Sequence, residues 1–168
     1  MLHAVIGFGA NLGDEAAAFA SALGRFPGKS DIVAVSRLWR TRPVGPEQPD
    51  YLNAAALVLW PDSPEALLAR CRDLESAAGR DRSVEERWGP RTLDLDLLIF
   101  SDLVWRSPSL VVPHPRLAER AFALVPAAEV APDWVHPLLG RTLSDLAAEI
   151  RTANPDALIS CEPWQPRP

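Results

Sequence analysis

Two aspartates, Asp94 and Asp96, stand two residues apart in RTLDLDLLIF (91–100), a stretch that is otherwise almost wholly apolar. Side chains alternate along a strand, so the two carboxylates share one face with Thr92 and Leu98. Leu93, Leu95, Leu97 and Ile99 take the opposite face. Adjacent buried carboxylates repel, and one is driven towards protonation unless positive charge compensates. Two compensations fit the residue types. A divalent cation such as Mg²⁺ takes both as oxygen ligands and leaves positions for water and phosphate; alternatively, both acids pair with arginines such as Arg91 or Arg82. Spacing alone does not separate these readings. Arg80, Arg82, Arg87 and Arg91 flank the pair, and the planar guanidinium matches phosphate oxygens. Carboxylates for a metal beside arginines for phosphate are the components of phosphoryl transfer. The competing reading of the charged segment 79–91 is a solvated surface loop. With glycines near its ends, Gly79 and Gly89, it also has the composition of a lid with low local stability.

The elements that must position these residues follow from pattern and punctuation. HAVIGFG (3–9) predicts a buried strand. Asp14 is placed to cap a helix over EAAAFASALG, which ends at Gly24. DIVAVSRLWRT (31–41) alternates and predicts a second strand, RPVGPEQPD (42–50) a proline-stiffened loop, and YLNAAALVLW (51–60) a third strand. Ser63 caps a helix that has Pro64 at its first position and Leu67, Leu68, Cys71 and Leu74 on its apolar side. TLDLDLLIF (92–100) is the fourth strand. The order βαββαβ predicts an α+β, ferredoxin-like core: an antiparallel sheet with both helices on one face, leaving the carboxylates on the helix-free face. A C-terminal helical extension follows, with a short helix near 116–126, a last helix in LSDLAAEIR, and a loosely held tail, CEPWQPRP.

At 168 residues the chain suits a single domain, residues 1–168. A hydrophobic fraction of 48% places it among globular proteins rather than disordered ones. No apolar run is long enough to span a membrane, and the N-terminus does not read as a secretory signal. Cys71 and Cys161 lack metal-ligand spacing and read as free thiols in a reducing, cytoplasmic setting. The net charge of −5 argues against wholesale binding to a nucleic-acid backbone.

Four segments, GFGANLGD, RTRPVGPEQPDYLNAA, RWGPRTLDLDLLIF and VPHPRLAERAFAL, occur in this order over about 125 residues and resemble the 6-hydroxymethyl-7,8-dihydropterin pyrophosphokinase family of folate biosynthesis. The resemblance implies transfer of the pyrophosphoryl group of ATP, the co-substrate, to the pterin hydroxymethyl oxygen, with AMP leaving. It implies two Mg²⁺ ions on Asp94 and Asp96. Arg80 and Arg91 join these two as catalytic residues, on a loop that closes over the triphosphate. On the pterin side it implies Asn53 at the amide-like edge, Tyr51 and Phe122 against the ring, backbone around Thr41 and Val44, Asp94, and Trp88 sealing the pocket. On the ATP side it implies Glu75, Arg80, Arg82, Arg91, Leu97, Val111, His114 and Arg120. The expected working unit is a monomer that uses neither nucleic acid nor membrane.

The sequence departs from better-known members. Ser83 and Val84 stand where a loop lysine occurs, and Ser109, Val111, Arg72, Pro115 and Ala10 also differ; Arg82, Arg87 or Arg116 can supply the missing charge. Two rival classes share parts of the pattern. A nucleotidyl transferase also carries a D-x-D strand but releases pyrophosphate. A non-catalytic RNA-binding module of the same topology requires a basic sheet with exposed aromatics, whereas this sheet presents acids.

Overall fold

The computed structural model describes residues 1–26, 31–81, 83 and 89–166. Its elements in chain order are β1 (Leu2–Ala10), α1 (Glu15–Gly24), β2 (Asp31–Val35), β3 (Leu38–Thr41), β4 (Tyr51–Trp60), α2 (Pro64–Ala77) and β5 (Asp94–Phe100). Two short ribbons follow, β6 (Trp105–Arg106) with β7 (Val111–Val112), and β8 (Val135–His136) with β9 (Arg141–Thr142). A 3₁₀ turn (Leu117–Glu119) and α3 (Ala121–Val130) lie between the ribbons, and α4 (Leu143–Ala153) and β10 (Leu158–Glu162) complete the chain.

The main sheet runs β10-β3-β4-β1-β5, with β2 also pairing β4, and every pairing is antiparallel. The predicted second strand is two strands, broken at Ser36. Its hydroxyl accepts the Ala55 N–H at 2.8 Å and donates to the Arg37 carbonyl at 2.7 Å, so the side chain satisfies backbone groups where the ladder is interrupted. The two predicted caps form: Asp14 accepts from the Ala17 N–H and Ser63 from the Ala66 N–H, each satisfying a donor that the first helical turn leaves unpaired.

Two cores sandwich the sheet. On one side Ala4, Ile6, Phe8 and Ala10 of β1 meet Phe19 and Leu23 of α1 and Leu67, Cys71 and Leu74 of α2. On the other, Val5, Trp39 and Ala55 meet Leu124 and Val125 of α3 and Leu146 and Ile150 of α4. The face opposite α1 and α2 is therefore not helix-free: α3 lies across part of it, against β4, β1 and β3. α3 is apolar nearly all round (AFALVPAAEV), as suits a helix buried between sheet and neighbour. α4 supplies the outer layer with its i, i+3, i+4, i+7 stripe of Leu143, Leu146, Ala147 and Ile150.

Two local expectations are corrected. Ile99 belongs to the α3–α4 core and Phe100 to the other, because the β1–β5 register shifts between Val5 and Ile6 and the alternation slips after Leu97. The C-terminal tail is not loose through its length. Residues 158–162 form β10 along β3, and Trp164 is buried with its ring 5.4 Å from Phe8 and 6.0 Å from Phe19. An aromatic edge-to-face trio of this size is a strong anchor for a chain end.

Candidate active site

β1 is the centre line of the site. Gly9 lies opposite Asn53 on β4 and opposite Asp94 on β5, while Gly7 lies opposite Ala55 and Asp96. Side-chain alternation puts both glycines on the same face as the two aspartates and Asn53. Neither glycine raises a wall there, so the sheet itself becomes a floor. A Cβ built on Gly9 stands 3.1 Å from Asn53 Oδ1, 3.9 Å from a Tyr51 ring carbon and 4.0 Å from the Asp94 Cβ. Above this floor is a cavity of about 460 Å³, bounded by the sheet, the loop after β3, residues 89–91 and the start of α3. That size suits a small-molecule site.

One end of the cavity is apolar with fixed polar atoms. Asn53 is 4% exposed and its Nδ2 donates to Thr41 Oγ1 at 2.6 Å, which fixes the amide and leaves Oδ1 over Gly9. Tyr51 and Phe122 line the same end, and the Tyr51 hydroxyl donates to the Gly89 carbonyl at 2.8 Å. Val44 lines it from the proline-rich loop. That loop is tied down by Asn11, whose buried amide donates to Gln48 and to the Pro49 carbonyl and accepts the Arg91 N–H.

The other end is charged. Arg80 is almost wholly buried and ion-paired with Glu75, and it donates to Asp94 Oδ1 at 2.7 Å. Glu75, buried inside α2, also accepts the Leu95 N–H at 3.3 Å, so it braces β5 from beneath rather than lining the cavity. Burial, then the charges of Asp94 and Glu75, push the Asp96 carboxyl up to about 8, against the opposing pull of Arg120 and Arg80. Arg120 is lowered by burial and by Arg116, and its guanidinium stands 5.7 Å over the Phe122 ring. His114 is also lowered, by burial and then by Arg120. Its Nδ1 accepts the Arg116 N–H at 3.1 Å, so a neutral imidazole carries its proton on Nε2.

Of the residues singled out in the sequence, Thr41, Val44, Tyr51, Asn53, Arg80, Arg91, Asp94, Asp96, Arg120 and Phe122 come together around this cavity. Leu97 is buried in the α1–α2 core, Val111 sits on β7, and His114, with its backbone N–H on the Leu98 carbonyl, stands next in sequence to this region but is not among the cavity-lining residues. Trp88, Arg82 and Arg87 lie outside the described residues, as does most of the segment expected to act as a lid. Sequence reasoning missed Gly7 and Gly9 as the floor, although a G-x-G at strand spacing carries that signal. It also missed Arg42 at the rim, for which no local pattern exists.

Among the described residues no group of three or more His, Cys, Asp or Glu is arranged to hold a metal. The donor set nevertheless fits a hard divalent cation that keeps several water or phosphate oxygens. It offers two carboxylates on one strand face, crowded enough that one is destabilised as an anion, at the edge of an open cavity.

Comparison with known proteins accords with this geometry. A model of the 7,8-dihydro-6-hydroxymethylpterin-pyrophosphokinase (HPPK) family matches residues 5–132. A 2-amino-4-hydroxy-6-hydroxymethyldihydropteridine pyrophosphokinase of Methylorubrum extorquens is 40% identical over 153 residues, 89% of this chain and 94% of that protein. One of Synechocystis sp. is 39% identical over 150 residues, 88% of this chain and 75% of that protein. Among solved structures, Plasmodium falciparum HPPK-DHPS with pteroate is similar in fold, with a TM-score of 0.69 at 12% identity over 91% of this chain. This chain spans 45% of that longer one.

Proposed function

The chain belongs to the 7,8-dihydro-6-hydroxymethylpterin-pyrophosphokinase family, and from that premise we propose that the cavity over β1, β4 and β5 is where ATP and 6-hydroxymethyl-7,8-dihydropterin meet. The product of this chemistry is the pterin diphosphate of folate biosynthesis, with AMP released. The observation that carries the assignment is the Gly9 register: one glycine stands between Asn53 on one strand and Asp94 on the other. A flat ligand resting there has a hydrogen-bonding amide at one edge and the carboxylates at the other.

At the pterin end, Asn53 Oδ1 accepts from a ring N–H, its orientation fixed by the bond that Nδ2 gives to Thr41. Tyr51 and Phe122 bound the ring faces and exclude water. At the phosphate end, Arg80, Arg91 and Arg120 counter the charge of the triphosphate, and His114 donates from Nε2. Glu75 acts through Arg80, holding it against Asp94. The hydroxymethyl oxygen forms a bond to the β-phosphorus and gives up its proton to water, and the bond from that phosphorus to the α–β bridging oxygen breaks, its electron pair leaving with AMP. Asp94 and Asp96 would hold Mg²⁺, which supplies neutralisation of phosphate charge when bound. Chemistry of this kind needs positioning and preorganised charge rather than a covalent protein intermediate.

The strand order, with β1 and β4 central and α1 and α2 sharing one face, supports a ferredoxin-like βαββαβ core. The elements from α3 onward are then its C-terminal extension. A single chain is the proposed working unit, because one chain supplies every described wall of the cavity. A cytoplasmic location is supported by two free cysteines; among the described residues, no helix is long and apolar enough to cross a membrane.

The test is product identity. Incubation with ATP, Mg²⁺ and the reduced pterin yields AMP only when the pterin is present, and chelation of Mg²⁺ abolishes it. Release of pyrophosphate instead establishes a nucleotidyl transferase, and release of ADP a single phosphoryl transfer.

A further inference from the structure

Several arginines border the cavity. Arg80 is held by Glu75 and Asp94, Arg91 Nη1 donates to the Gly89 and Pro90 carbonyls, and Arg42 Nε donates to the Asp156 carbonyl. Arg116 differs. It lines the same cavity as Arg120, Asp94 and Asp96, yet its side chain is 49% exposed and its Nε meets Glu119, itself 67% exposed, at 3.2 Å. An exposed i,i+3 pair contributes little and exchanges readily for a better anion.

The backbone beneath Arg116 is firm. Leu117 is wholly buried in the α3–α4 core, the His114 N–H is bound to the Leu98 carbonyl at 2.8 Å, and the Arg116 N–H is bound to His114 Nδ1. This anchored turn brings two arginines, four residues apart, to the cavity that the two carboxylates also line. Arg116 also disfavours the charged form of Arg120, so the two cations repel each other where they border the cavity. A polyanion placed there relieves that repulsion and finds two planar forks.

We propose that Arg116 is a substrate-contacting residue of the triphosphate subsite, pairing with Arg120 around the polyphosphate and exchanging Glu119 for a phosphate oxygen; this assignment rests on the pyrophosphokinase reading. Glu119 is then a competitor for the same guanidinium. Removing Arg116 weakens polyphosphate binding, and removing Glu119 strengthens it, an opposition that loss of folding does not produce.

Calorimetry tests this with three probes in the presence of Mg²⁺: α,β-methylene-ATP, inorganic tripolyphosphate and the reduced pterin. Arg116→Ala loses about tenfold in affinity for both polyphosphates, roughly 1.4 kcal/mol, with pterin affinity unchanged. Arg116→Lys loses less, and Glu119→Ala gains about twofold. Arg151→Ala, a distant arginine on α4, changes nothing. Arg116→Ala binding both polyphosphates as the parent does overturns the proposal, as does an equal loss for the pterin. Loss for the ATP analogue but not for tripolyphosphate also overturns it, placing Arg116 against the nucleoside. Absence of pterin-dependent AMP formation by the parent protein defeats the underlying reading, and the proposal with it.

Discussion

Gly9→Ala is the sharpest perturbation of the pterin floor. The new methyl carbon stands 3.1 Å from Asn53 Oδ1 and 3.9 Å from the Tyr51 ring. The first contact is shorter than ordinary packing allows, so Asn53 must shift by a few tenths of an ångström. It has little freedom to do so, being buried and bound to Thr41 at 2.6 Å. The methyl also rises into the plane where the pterin rests. Losing or bending the Asn53 hydrogen bond costs about 0.5–1.5 kcal/mol, so pterin affinity falls about 2- to 12-fold. Binding of an ATP analogue alone changes by less than about twofold. Gly7→Ala is the internal comparison: the three atoms nearest its Cβ all belong to the Leu98 side chain, the first at 3.1 Å, so its crowding falls on an apolar residue rather than on Asn53. Separate calorimetric titrations of the two ligands against both variants check this. Pterin binding retained by Gly9→Ala but lost by Gly7→Ala would refute the placement of the pterin over Gly9.

Further outcomes follow from the same geometry. Asp94→Asn and Asp96→Asn each lower turnover by about a hundredfold or more, the scale of losing a preorganised electrostatic element, with far-UV circular dichroism unchanged; near-normal turnover in both removes the metal assignment. Trp164→Ala destabilises by about 3–5 kcal/mol in urea unfolding, as for other large aromatic truncations in cores, whereas a loose tail predicts no change. Burial, with Glu75 and Asp96 adding to it, pushes the Cys71 thiol well above its ordinary value, while Cys161 is exposed. A thiol reagent at pH 8 therefore labels one cysteine in the native protein and two in urea; rapid labelling of both in the native state contradicts the buried placement.

Local chemistry made much of this molecule legible. Asp14 and Ser63 mark the starts of α1 and α2 because unpaired N–H groups require caps there, and YLNAAALVLW gives β4 its bounds. The D-x-D spacing places both carboxylates on the cavity face. What stayed hidden depends on partners distant in sequence. Nothing around Ile99 announces that the β1–β5 register slips. The apolar residues of α3 announce burial, but not that they bury against the face opposite α1 and α2. Glu75 is an unremarked acid within an amphipathic helix until Arg80 and the Leu95 N–H are seen to meet it. Trp164, beside three prolines, reads as tail until Phe8 and Phe19 are found beneath it.

The central claim is that the floor formed by Gly7 and Gly9 is where both substrates meet. A crystal structure with Mg²⁺, a non-hydrolysable ATP analogue and the reduced pterin tests it most directly. The account predicts the pterin over Gly9, its ring N–H on Asn53 Oδ1 and its hydroxymethyl group turned towards Asp94. It further predicts the triphosphate running past Asp96 to Arg120 and Arg116. A pterin bound outside this cavity, or a triphosphate reaching neither aspartate nor these arginines, would contradict it.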